Sequence, residues 1–278
     1  MEKEKMDFTD YTDPICPFCT DQFKKQPPVR PIPTQRVLEK LDEHLGRNDY
    51  DSAERHLLYW LDEAKDGRDK HGMLTVENEL MGLYRKTNRK ENALESVRKA
   101  LDLIDELKLG SAVVAGTTFT NAATVYKAFA MPEESIELFE KAKEIYEKEL
   151  QFDDPRLGGL YNNLGLTLTD LKRFDEAEEY YNKAINVMSN NKNGELEIAI
   201  TYLNLCDLND AKLGSEQSEK IIDEYIEKAY ELLNRDYLPR NGYYAFVCEK
   251  CAPTFGYFGR FLYQKELSDR ARCIYERN

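Results

Sequence analysis

Tyr161-Asn-Asn-Leu-Gly-Leu-Thr-Leu168, then Leu171-Lys-Arg-Phe-Asp-Glu-Ala177, then Tyr180-Tyr181-Asn-Lys-Ala184 is the stretch that decides the fold. Tyr161, Leu164, Leu168 and Tyr181 stand at helical spacing, and small residues occupy Gly165, Ala177 and Ala184. Such a pattern predicts two helices in contact. The small residues let the backbones approach, and the large ones fill the space between them.

Forty-two residues upstream (Phe119 against Tyr161) the same order returns as Phe119, Ala122, Ala123, Tyr126, Ser135, Phe139 and Ala142. Forty-two before that (Leu80 against Ala122) come Leu80, Met81, Tyr84, Ala93, Val97 and Ala100. Asn48-Asp-Tyr-Asp-Ser-Ala53 echoes the phrase Lys172–Ala177. Downstream, Ala199–Leu233 fits through Tyr202, Leu205, Cys206 and Ala229, with a longer inter-helix loop expected at Ala211–Ser218. Phe255, Phe258, Gly259, Leu262, Ala271 and Tyr275 form a last copy. The copies divide approximately as 34–73, 74–115, 116–157, 158–198, 199–238 and 239–278. Breakers such as Gly46–Asp49, Lys86–Lys90, Met131–Glu133, Asp153–Pro155 and Lys192–Gly194 separate the helices and exclude a long coiled coil. Pro253 is expected to open the last copy's first helix, because a proline in a helix interior removes a bond and clashes with the preceding turn.

These residues resemble tetratricopeptide repeats. The 42-residue period exceeds that family's usual ~34. Together with the phrase Tyr146-Glu-Lys-Glu-Leu-Gln-Phe-Asp-Asp-Pro155 it looks like the kinesin-light-chain-type variety. The resemblance implies an all-α, right-handed superhelical solenoid of about six helix–turn–helix units over residues 34–278. It also implies a non-enzymatic scaffold or adaptor that takes a protein or peptide segment in a concave groove.

Composition agrees with a soluble globular chain. Of 278 residues 41% are hydrophobic, and 52 acidic against 39 basic residues leave a formal charge of −13. So negative a surface repels phosphate backbones and anionic lipid, so nucleic acid and membrane are not expected as partners. No apolar run approaches the ~20 residues of a membrane span, and the opening Met-Glu-Lys-Glu-Lys-Met-Asp lacks an apolar leader. A cytoplasmic location is expected, with the six cysteines kept as thiols. The pattern leaves a homo-oligomer open.

Residues 1–33 form a separate, proline-rich extension holding six of the ten prolines. Its apolar residues Phe8, Tyr11, Ile15, Phe18, Phe23, Val29 and Ile32 are unusual for a free tail. They are expected to fold back, with Phe18 and Phe23 against the first repeats, because an array end needs a cap.

Cys16-Pro-Phe-Cys19 looks like a glutaredoxin redox site, but no βαβ pattern surrounds it. As zinc ligands Cys16 and Cys19 supply two of the four a structural site needs, and Cys248-Glu-Lys-Cys251 lies at the far end of the array. A zinc- or thiol-dependent protein is therefore an alternative reading. A peptide-sensing regulator acting through a protein partner is another. No cofactor, phosphate loop, nucleophile elbow or H-E-x-x-H is read.

The informative polar residues are asparagines two places before a small packing residue: Asn121, Asn163 and Asn204. In the fold the resemblance implies, this place faces the groove. There an amide can grip one peptide unit of an extended chain. The alternative is that each amide only bonds the neighbouring helix. The second copy carries Glu79 there, preceded by Asn78, and Arg85 and Lys127 lie six residues beyond that place in copies two and three. The expected groove set is therefore Asn78, Glu79, Arg85, Asn121, Lys127, Asn163 and Asn204. Gly82 and Gly159 stand where the carboxylate clamp of chaperone-binding repeats needs charged or amide side chains, which argues against chaperone tails.

Overall fold

Twelve α-helices follow one another through residues 29–277, which are the residues the computed structural model describes, and no strand occurs among them. They run in pairs: α1 (Thr34–Gly46) with α2 (Tyr50–Gly67), α3 (Lys70–Lys86) with α4 (Lys90–Glu106), and α5 (Val113–Ala128) with α6 (Pro132–Glu149). Then come α7 (Pro155–Asp170) with α8 (Phe174–Ser189), α9 (Glu195–Leu213) with α10 (Ser215–Leu233), and α11 (Gly242–Tyr257) with α12 (Phe261–Tyr275).

Local chemistry sets the ends. Asp49, Asp69, Asp154 and Asn241 accept N-cap hydrogen bonds from the backbone N–H groups of Ser52, Gly72, Arg156 and Tyr244. Pro132 and Pro155 occupy first turns, where no N–H is missed. Inside every pair the corner turns on one left-handed residue: Asn48, Asn88, Ala130, Lys172, Gly214 or Gly259.

Packing follows the small-against-large pattern. A Cβ on Gly165 would lie 2.5 Å from Tyr181 Cε1, so only glycine lets the Tyr181 ring lie across α7. α2, α4, α6 and α8 each pack between two first helices, whereas first helices also touch the next first helix: α3 with α5, α5 with α7, α7 with α9 and α9 with α11. A layer whose neighbours are closer is the inner layer of a curved array. The odd-numbered helices therefore line the concave side.

Two local expectations are corrected. The connection expected as a long loop at Ala211–Ser218 is the single residue Gly214, whose φ of +79° permits the sharp corner. The extra residues instead lengthen α9 and α10. Pro253 does not open a helix but lies inside α11, on its exposed side, where the carbonyl it leaves without a donor can be reached by water.

Cys248 and Cys251 are buried, and burial pushes both thiols above the usual range, with that of Cys251 at about 12. The repeat divisions 73/74, 115/116, 157/158 and 198/199 each fall a few residues inside a first helix. Phase is a convention in a periodic array. Phe18, Phe23, Cys16 and Cys19 lie outside the described residues. Of the extension, residues 29–33 are described, and Ile32 is buried against the α2–α3 corner. No helix among the described residues is long and apolar enough to cross a membrane.

Candidate functional site

On α7 Arg156, Gly159, Asn163, Leu166 and Asp170 are exposed or part-exposed and form a 3–4–3–4 stripe along one face. The faces on either side of it bury Leu157, Leu160, Leu164 and Leu168. Because α8 covers the other side, this stripe faces the concave surface. The equivalent stripe passes through Asn121 and Ala128 on α5, and through Glu79, Gly82 and Lys86 on α3. On α9 it holds Glu197, Asn204, Asp207 and Ala211, and on α11 it holds Tyr243, Phe246, Lys250, Pro253 and Tyr257.

The expected groove residues separate into two kinds. Asn121 Nδ2 donates to Asn78 Oδ1 at 2.9 Å, while Asn78 Nδ2 donates to the Leu74 carbonyl (2.9 Å) and to Thr118 Oγ1 (3.1 Å). Two repeats later the arrangement returns: Asn204 Nδ2 donates to Asn162 Oδ1 at 2.9 Å, and Thr201 Oγ1 donates to the same oxygen at 3.3 Å. These amides tie one first helix to the next, and each keeps part of its hydrogen-bonding capacity open. Asn163 differs, because Thr120 stands where its asparagine partner would be, and Thr120 Oγ1 donates to the Gly116 carbonyl instead. No side-chain hydrogen bond of Asn163 is present among the described residues.

Several charged side chains along the groove are shifted from their ordinary pKa values by the surrounding walls. Arg85 is exposed, yet the surrounding walls lower its pKa, and no ion pair engages it among the described residues. Burial and the nearby Asp42 raise the pKa of Glu79. Lys127 is paired with Asp170 of the next repeat at 3.3 Å. On α9, burial raises the pKa of Glu197, which accepts a hydrogen bond from Tyr243. Asp207 is pushed up to about 6, first by lost hydration and then by Asp210. Asp210 itself accepts from Tyr257 (3.1 Å) and Ser215 (2.7 Å). Sequence reasoning missed Asn162, Asp207, Phe246 and Tyr257. The signal available for Asn162 was the Asn162-Asn163 pair itself.

The raised pKa of Asp207 has a sign that can be checked. Ionising it costs more in the folded chain than in the unfolded one. Its contribution to stability therefore falls as pH rises between about 4 and about 6, and stays lost above that. Asp207→Asn is expected to raise the melting temperature at pH 7.5 and to leave it nearly unchanged at pH 4. Thermal melts of both proteins at both pH values check this, and a variant less stable at pH 7.5 would contradict it.

The sequence profile of the tetratricopeptide repeat family matches residues 160–191, which hold α7 and α8. Among solved structures, the chain is similar to a Podosopora anserina protein described as a kinesin light chain with nearly identical TPR-like repeats. The TM-score is 0.52 at 15% identity, covering 73% of this chain and 95% of that one. Pseudomonas aeruginosa PilF is similar at TM-score 0.51 and 15% identity, over 88% of this chain and 93% of that one. No curated protein matches the chain. At that identity the likeness is one of fold: residues 160–191 match the tetratricopeptide repeat, and the helix pairs around them form an all-α solenoid of the same kind.

Proposed function

We propose that this protein is a non-enzymatic cytoplasmic scaffold that holds an extended segment of a partner protein along its concave face. The observation that carries the reading is Asn163: a part-exposed amide at the centre of the groove, its side chain without a hydrogen-bonding partner among the described residues, between the anchored amides Asn121 and Asn204. An amide offers a donor and an acceptor side by side, which matches one peptide unit whatever its side chain. Glu79, Arg85 and Lys127 would add selection by charge near one end. A single such bond contributes about 1 kcal/mol, so affinity must come from several repeats in series.

Asn163→Ala is the cleanest test, because it breaks no side-chain hydrogen bond among the described residues. It is expected to weaken binding of partner segments roughly three- to tenfold with no change in melting temperature. Asn121→Ala should weaken binding and also lower the melting temperature, since it breaks a bond between α5 and α3. Calorimetric titration and thermal melts separate the two. Unchanged affinity in Asn163→Ala would remove the groove assignment.

A further inference from the structure

The concave face changes chemistry along the array. On α3, α5 and α7 it presents amides, glycines and charged side chains, whereas on α11 it presents Tyr243, Phe246 and Tyr257, all exposed. Between α9 and α11 the surface dips into a cavity of about 380 Å³ walled by Asp207, Asp210, Ala211, Pro253, Thr254 and Tyr257. Its lining holds two carboxylates, an aromatic ring, a pyrrolidine ring and methyl groups.

The two carboxylates are not alike. Asp210 is held by Tyr257 and Ser215. Asp207 has no ion pair or hydrogen bond from its side chain among the described residues. The nearby cations are committed elsewhere or point to another carboxylate: Lys212 pairs with Asp175 at 2.6 Å, Arg260 pairs with Asp223 at 2.6 Å, and Lys250 acts on Glu197. Pro253 contributes its pyrrolidine ring to the wall and, having no N–H, makes no hydrogen bond to the Glu249 carbonyl one turn earlier. Tyr257 is 71% exposed, an open ring beside these oxygens.

We infer that this cavity receives an arginine side chain of the bound partner segment. A planar guanidinium can bond Asp207 through two parallel N–H groups while its face stacks on Tyr257. A metal ion would gain nothing from the aromatic and aliphatic walls. No group of three or more metal-binding side chains occurs among the described residues. An anionic side chain would be repelled by Asp207, Asp210 and a chain of charge −13. Lysine fits less well, as a point charge that uses one oxygen at a time.

The inference rests on the concave face being the partner-binding surface, and the test separates the two. A phage-displayed library of random 16-residue peptides is selected on the full-length protein. One recovered peptide is then measured against wild type, Asp207→Asn and Asn163→Ala, both as selected and with its arginine changed to alanine. Enrichment of arginine is expected, with a roughly tenfold affinity loss for Asp207→Asn that vanishes with the alanine peptide. Asn163→Ala should weaken both peptides alike. Recovered peptides without arginine enrichment, or equal binding by Asp207→Asn, overturn the arginine pocket and leave the groove standing. Failure to recover any peptide, or peptides indifferent to Asn163→Ala, overturns both.

Discussion

Tyr181→Ala is expected to destabilise the protein by about 3–5 kcal/mol and to split its unfolding into two steps. The Tyr181 ring is fully buried and packs with Leu168 and Ala177 of its own repeat and with Leu205 and Leu208 of the next. This small cluster stands between two large ones, one running from Ile32 to Ile198 and the other from Leu196 to Ile274. Repeats contact only their neighbours, so an array unfolds as one unit only while each junction outweighs the independent melting of its sides. Removing the ring leaves a cavity at that junction. The main transition should fall by roughly 10 °C, with amides of α9 to α12 exchanging before those of α3 to α7. Gly165 supplies the other side of this contact. A Cβ on Gly165 would lie 2.5, 2.7 and 2.8 Å from three ring atoms of Tyr181, so Gly165→Ala alone must force the ring aside. Combined with Tyr181→Ala, the added methyl enters vacated space, and the double variant should be no less stable than Tyr181→Ala. Calorimetry and hydrogen exchange read both effects. A single transition shifted by only a degree or two would show that the junction is not held by this ring.

That pairing is also why the fold was legible. Gly165 and Tyr181 are sixteen residues apart on two helices of one unit, and the rule that places a small residue against a large one repeats every forty-two residues. A period carries its own register, so helix count and pairing followed. Features that depend on how one repeat is set against the next carried no such signal. Whether Asn121 faces a ligand or Asn78 depends on the offset between α5 and α3, and neither residue alone encodes it. The Asn163 site looked identical in sequence to those of Asn121 and Asn204. It is left open only because Thr120, in the neighbouring repeat, satisfies itself within its own helix. Pro253 misled for a related reason: proline is costly inside an isolated helix, but on the open face of α11 its freed carbonyl meets solvent. The cavity at Asp207 arises from α9 and α11 together, and its residues come from segments more than forty positions apart.

Asp69→Ala is expected to cost about 2–4 kcal/mol, more than its place in a short corner suggests. Its side chain is buried, and its two oxygens do separate work. Oδ1 accepts from the Gly72 N–H at 2.9 Å and caps α3, while Oδ2 accepts from the Ile32 N–H at 2.9 Å. The second bond fixes the segment entering the array. With Arg30 N–H donating to the Gly67 carbonyl at 2.9 Å, it lays residues 30–32 along the α2–α3 corner and buries Ile32. Removing the carboxylate strands two N–H groups at once, one of them far from water, and loosens the seat of Ile32. Asp69→Asn separates the two roles, since an amide presents one acceptor where the carboxylate presents two. It should keep one of the bonds and lose about half of the stability that alanine loses. A chain lacking residues 1–28 retains both bonds, so Asp69→Ala should cost the same in that background as in the full chain. A much smaller cost there would mean that Asp69 acts through the residues upstream of Val29 rather than through the corner itself.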